Sequence, residues 1–164
     1  MAPDLLVRRA RPQDAAAISR LNNTFADEGQ MLKRSPDVIA LAIDDYLVVQ
    51  NGPGALLACG ALKEYSPSVA EVAAIAVSRE AHGRGLGRAI VRAVEDLARK
   101  RGIHDVFALT LQPEFFAAIG YQRVDRARYP EKIRRDCLGC LRRFACNEIC
   151  LARNLLVEAI DRAA

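Results

Sequence analysis

Apolar residues change their period along this chain, and the changes mark out its elements. An extended run over Leu5 to Arg9 predicts a strand; after it, "RPQDAAAISRLNNTF" sets Ala17, Ile18, Leu21 and Phe25 at helical spacing, with fraying expected near Glu28-Gly29. Ser35 before Pro36 is a helix start, a capping side chain ahead of a proline at the first helical position, and predicts a short buried stripe of Val38, Ile39 and Ala42. Tyr46 to Gln50 and Ala55 to Tyr65 are strand-like, and "NGPG" between them predicts a hairpin turn. Val69 to Val77 is the next strand.

Further on, Leu86, Ile90, Val94 and Leu97 mark one face of a pattern whose other face carries Arg88, Arg92, Glu95, Arg99 and Lys100, so residues 84 to 101 predict an amphipathic helix. Gly102 closes it. Val106 to Leu109 predicts a short strand, Glu114 to Ile119 a short helix stopped by Gly120, and Tyr121 to Arg126 a last strand. The order β-α-α-β-β-β-α-β-α-β predicts an α/β (α+β) protein with a mixed sheet covered by helices.

The 164 residues are expected to form a single domain, 1–164, with a Cys- and Arg-rich extension from about residue 130 to 164. Composition is globular, at 51% hydrophobic and 27% charged, and no apolar run approaches the ~18 residues of a membrane span. The amino terminus lacks the long apolar core of a secretory signal, so a cytoplasmic location and no membrane partner are expected. A net charge of +4 is modest, and the basic carboxyl-end stretches carry no interleaved aromatics for base stacking, which argues against nucleic acid.

"HGRGLGRAI", residues 82 to 90, places Gly83, Gly85 and Gly87 between a strand and a helix. A Walker A loop would need a Gly-Lys-Ser/Thr ending, and the dinucleotide fingerprint needs G-x-G-x-x-G after an early parallel strand; neither fits. What remains is a plain connection, or a loop whose backbone N–H groups and following helix N-terminus converge on an anion.

"AVSREAHGRGLGRAIV" resembles the central motif of the GNAT acetyltransferase superfamily, Q/R-x-x-G-x-G/A, with His82 where the motif has Gln or Arg. "MLKRSPDVIALAIDDYLVV", "ACGALKEY", "AEVAAIAV", "VFALT", "FFAAIGYQRVD" and "PEK" occur in the order seen in the acetyltransferase domain of the N-acetylglutamate synthase family, so the chain resembles a stand-alone short form without the kinase-like domain of the long members. The resemblance runs to about residue 130. It implies the GNAT fold, a mostly antiparallel sheet whose fourth and fifth strands splay apart, and acetyl-CoA as cosubstrate.

By the same resemblance the loop residues His82, Gly83, Arg84, Gly85, Leu86, Gly87 and Arg88 hold the pyrophosphate, backbone groups of Ala74, Ile75, Ala76 and Val77 pair with the pantetheine arm, and Phe116 packs near the cofactor. A free N–H on that strand would also bind the carbonyl oxygen as negative charge develops. Glu71 is the one carboxylate in an apolar strand; partial burial there favours a general base, against the alternative of a solvent-exposed strand-end residue, and the family match favours the base, acting through a water. Arg34 matches the position that grips substrate carboxylate, with Lys33 adding charge, and Arg142 or Arg143 is the candidate second grip; otherwise Arg34 is a surface residue before a helix. The tyrosine that many GNAT enzymes use as acid is replaced in Phe115-Phe116, leaving Thr110, Gln112 and Tyr121 as nearby substitutes, and a thiol of pKa about 8.5 leaves with little help.

"DCLGCLRRFACNEIC" spaces Cys137, Cys140, Cys146 and Cys150 as C-x2-C-x5-C-x3-C. Four thiols in fourteen residues suggest a metal, zinc first and an iron–sulfur cluster second, or reduced thiols packing a helical tail against the sheet. Cys59 reads as core, and His104 as ordinary. The expected activity is acetyl transfer from acetyl-CoA to the α-amino group of glutamate, the first step of arginine synthesis. Glutamine, another amino acid, a protein amine, or a non-catalytic acetyl-CoA or metal sensor are the alternatives, and a homodimer is left open.

Overall fold

The computed structural model describes residues 5–53, 55–143 and 145–157. Gly54 of the predicted "NGPG" turn and residues 158–164 of the carboxyl extension lie outside them. In chain order the elements are β1 (Val7–Arg9), α1 (Ala15–Asp27), α2 (Pro36–Leu41), β2 (Tyr46–Gln50), β3 (Leu56–Ser66), β4 (Val69–Val77), α3 (Leu86–Lys100), β5 (Asp105–Thr110), α4 (Pro113–Ala118), β6 (Gln122–Arg123), α5 (Pro130–Lys132) and β7 (Ile149–Asn154). The seven strands are ordered β1-β2-β3-β4-β5-β7-β6. Strands β4 and β5 pair in parallel, from Val69↔Asp105 to Glu71↔Phe107, and that ladder stops there although β4 continues to Val77 and β5 to Thr110. This short ladder is the splay expected of the fourth and fifth strands.

Two compact units divide the chain: residues 1–62 with 72–97, and residues 63–71 with 98–164. In the first, Ile18 and Phe25 of α1, Ile39 of α2, Tyr46 and Val48 of β2, Leu56 and Cys59 of β3, and Ala74 and Ala76 of β4 form one apolar core. In the second, Tyr65, Phe107, Tyr129, Cys150 and Ala152 form another, with the Phe107 and Tyr129 rings stacked at 4.0 Å.

Local chemistry accounts for the boundaries. Ser35 Oγ accepts the Val38 N–H at the start of α2, as its position before Pro36 predicted, an interaction worth about 1 kcal/mol. The expected stripe on α2 is narrower than predicted: Ile39 is fully buried, but Val38 is 56% exposed because six residues give the helix one inward position. Helix α3 starts at Leu86 rather than 84, since Gly85 holds φ +77°, outside the helical region. Its buried face is also wider than predicted, because Glu95 lies in line with Val91 and Ala98 and is buried with them.

The largest departure is in the tail. Tyr121 to Arg126 was expected to be the last strand, yet within it only Gln122–Arg123 forms a strand, and β7 follows, inserted between β5 and β6. It runs antiparallel to β5 from Asp105↔Asn154 to Thr110↔Ile149, so the tail is not simply a helical cover.

Candidate functional site

The glycine loop takes its shape from two left-handed glycines. Gly83 at φ +78° and Gly85 at φ +77° adopt the left-handed region on either side of Arg84, and a side chain at either position would meet open space, so glycine is there for backbone conformation and not for close packing. Alternation of this kind turns successive N–H groups to one side, and the fifteen-residue α3 begins at the next residue, adding its positive end. Gly87 is already the second residue of that helix, and Arg84 and Arg88 are exposed.

His82 does not offer its ring to the loop. Its Nε2 lies 2.8 Å from the Val77 carbonyl, closing the loop back onto the end of β4, and its ring stacks on Phe25 at 6.4 Å. This gives a structural reason for a histidine where the motif has Gln or Arg. Within β4, Ala74 has φ +55°, alone among the described non-glycine residues, at a cost of about 1–3 kcal/mol. Its carbonyl accepts from the Cys59 thiol at 3.6 Å, and burial pushes that thiol up to about 12, keeping it a donor. The bend at Ala74 interrupts the regular strand immediately before Ile75, Ala76 and Val77. Cys59 is therefore core, as read, but also supports this bend.

Arg34 is held by its backbone. Its N–H donates to Asn23 Oδ1 at 3.0 Å, and its carbonyl accepts from Ser19 Oγ at 2.7 Å and Asn23 Nδ2 at 3.1 Å, all from α1. Arg34 Nε is buried without a hydrogen-bond partner among the described residues. Nearby, burial pushes the Tyr46 phenol up, and the Arg34 guanidinium partly offsets that shift. Lys33 does not join it: its ammonium pairs with Asp27 at 2.9 Å on the surface, with both side chains more than half exposed.

Glu71 lies on β4 three residues before Ala74 and is buried, only 7% exposed. Its Oε2 lies 3.0 Å from Tyr65 Oη and accepts from Lys132 Nζ at 2.9 Å. Lys132 Nζ also reaches Asp136 Oδ2 at 3.1 Å, and Lys63 Nζ reaches the same oxygen at 2.7 Å. Burial alone would lower the Lys132 ammonium, but Glu71 and then Asp136 outweigh it and hold it above the usual lysine range. Burial alone would raise Asp136, but Lys63, then Tyr65 and Lys132, hold it well below the carboxylate range. The sequence singles out Glu71 but not its two partners, Tyr65 and Lys132, nor Asp136 and Lys63 beyond them; "PEK" enters there only as part of the resemblance, and its Lys132 is the counter-ion.

Other candidates have different surroundings. Phe116 is buried edge-on against Tyr121 at 5.2 Å, a core contact. Thr110 Oγ accepts the Gln112 N–H at 2.9 Å. Arg143 Nη1 donates to Leu138 O at 2.7 Å, and the Arg142 backbone N–H donates to Cys140 Sγ.

The metal reading of the cysteines is corrected. Among the described residues no three Cys, His, Asp or Glu side chains come together to hold a metal ion. Cys150 is buried in β7, where burial pushes its thiol up to about 11; Cys146 Sγ accepts from both Arg126 Nη atoms at 3.6 and 3.7 Å, placing a cation where a metal would bind. Burial also raises Cys137, and Cys140 serves the local turn at Arg142. The C-x3-C half of the pattern fails because Cys150 is in a strand, not on a helical turn.

An N-acetyltransferase of uncharacterised role from Chlorobaculum tepidum is 40% identical over 94% of this chain and 99% of its own length. An amino-acid acetyltransferase from Mycobacterium tuberculosis is 32% identical over 73% of this chain and 70% of its own. Among solved structures, N-acetylglutamate synthase from Neisseria gonorrhoeae, complexed with coenzyme A and N-acetyl-glutamate, superposes with a TM-score of 0.83 at 29% identity; the match covers 94% of this chain and 36% of that one. The model of the Acetyltransferase (GNAT) family matches residues 16–123, and the chain belongs to that family.

Proposed function

We propose that this acetyltransferase is a cytoplasmic enzyme that moves the acetyl group of acetyl-CoA to the α-amino group of an amino acid, with glutamate as the acceptor, and so serves arginine synthesis. The observation that carries the amino-acid acceptor is Arg34: a guanidinium fixed through its own backbone by Ser19 and Asn23, with a buried Nε that has no hydrogen-bond partner among the described residues, is a waiting site for a carboxylate. The amino-acid acetyltransferases among its relatives, and the N-acetyl-glutamate bound by the gonococcal enzyme, support the same acceptor class.

Acetyl-CoA supplies an activated thioester. The loop from His82 to Arg88 would receive its pyrophosphate on the amides around Gly83 and Gly85, a fit that rests on the left-handed pair and the helix behind it. Residues Ile75 to Val77 follow the bend at Ala74 and would offer backbone groups to the pantetheine arm, with one N–H stabilising the carbonyl oxygen as charge develops. Glu71 would take the proton of the substrate ammonium, and Arg34 would hold its carboxylate. With no tyrosine in Phe115-Phe116, the thiolate leaves without a dedicated acid.

CoA release from purified protein with acetyl-CoA and a panel of amino acids tests this. Release with glutamate above all others is expected; release with neither glutamate nor its neutral isostere glutamine would overturn it.

A further inference from the structure

Tyr65 has one hydroxyl proton and faces two carboxylates. Its Oη lies 3.0 Å from Glu71 Oε2 and makes a shorter contact with Asp136 Oδ2. One O–H cannot donate to both. In the resting state Tyr65 donates to Asp136, which stays an anion between Lys63 and Lys132. A Tyr65 lone pair then faces Glu71 Oε2, and that contact becomes a hydrogen bond only when Glu71 carries a proton.

We propose that Tyr65 and Asp136 form the exit for the proton that Glu71 captures from the substrate ammonium; this rests on the reading of Glu71 as the base. The captured proton sits on Glu71 Oε2. As that O–H bond breaks, a new one forms at Tyr65 Oη, the original Tyr65 O–H breaks, and its proton passes to Asp136 Oδ2. The two transfers are concerted, because burial and then the charge of Glu71 hold the Tyr65 phenol far above its usual range and disfavour a tyrosinate. Glu71 is returned as a carboxylate.

Exposure sets the direction. The Asp136 side chain is 25% exposed and that of Glu71 9%, so the proton arrives at the carboxylate of the pair that meets water more. The two lysines keep Asp136 ionised, and it therefore yields the proton to solvent. One proton leaves for each acetyl transferred, as the conversion of an ammonium and a thioester into an amide and a thiol requires. Lys132 touches both carboxylates but stays an ammonium, and it holds their oxygens in place around the tyrosine. Further charged neighbours are Arg135, over the Tyr65 ring at 4.9 Å, and Glu148, which feels the charge of Glu71.

The test compares Tyr65→Phe, Asp136→Asn and the double variant for CoA release, with whichever acceptor the wild type uses. Tyr65→Phe keeps the ring packing, and its melting temperature reports folding independently of turnover. Each single change is expected to lower kcat by about 10-fold or more, with both KM values within about two-fold. The double variant should be no slower than the slower single, because the two groups act in one chain. An unchanged kcat in folded Tyr65→Phe, a loss confined to KM, or losses that multiply in the double variant would each overturn the relay. Glu71→Gln separates the two readings: if it is inactive while Tyr65→Phe is not slowed, only the relay fails, and if it retains full kcat the base assignment fails too.

Discussion

Lys132 Nζ lies 2.9 Å from Glu71 Oε2, joining a carboxylate of β4 to an ammonium 61 residues later in the chain. Both side chains are largely buried, 16% and 9% exposed, so water screens the pair only weakly. Lys132→Met leaves a buried carboxylate without its ammonium. Loss of about 3–5 kcal/mol is expected in urea unfolding, with part of it recovered in Lys132→Met/Glu71→Gln, which removes the stranded charge. Equal midpoints for wild type and Lys132→Met would show that the pair does not stabilise the fold.

Arg34→Ala removes the charged grip but none of the hydrogen bonds that Ser19 and Asn23 make to its backbone. KM for the amino acid is expected to rise about 10- to 100-fold, the worth of a charged hydrogen bond, with KM for acetyl-CoA little changed. Initial-rate kinetics with each substrate varied in turn distinguish this from a structural role, which would raise both.

Gly85→Ala meets no steric obstacle, so its effect is conformational. Holding alanine at φ +77° costs about 1–2 kcal/mol and favours a loop whose amides no longer converge. Acetyl-CoA KM should rise about 5- to 30-fold at constant amino-acid KM. Titration with CoA alone, by calorimetry, measures the same loss without turnover.

Acid should weaken the second unit through Asp136. Its folded value is depressed, so its contribution is complete above the unfolded value of about 4 and fades as pH falls below that toward the folded one. The unfolding free energy of Asp136→Asn should accordingly fall less steeply than that of wild type between about pH 4 and pH 2, and parallel slopes in that window would contradict the shift.

Chelation should change nothing. With Cys146 under the Arg126 guanidinium and Cys150 in the core, protein treated with a chelator is expected to keep its melting temperature and its rate of CoA release. Elemental analysis showing one zinc per chain, lost together with stability, would restore the metal reading.

What the residues revealed beforehand depended on how local the determinant was. The strand Val69–Val77 was read at its observed bounds, and Ser35-Pro36 marked a real helix start, because each signal lies within a few neighbouring residues. Arg34 and Glu71 stood out by motif and by polarity. Lys132, Tyr65 and Asp136 did not, since their meeting requires β3, β4 and the segment after α5 to be folded first. Strand β7 was hidden for another reason: "ICLARN" is short and ends in polar residues, and the cysteines before it suggested metal chemistry instead of a sheet.

Strand β7 also imposes an order on assembly. Residues 122 and 123 are made well before Ile149–Asn154, yet among the described residues β6 reaches the sheet only through β7, by Gln122↔Ala152 and Arg123↔Leu151. During synthesis the outer edge of β5 therefore stays open until nearly thirty further residues have followed β6, and a nascent chain halted before Ile149 carries an unfilled slot that any extended segment of similar pattern could enter.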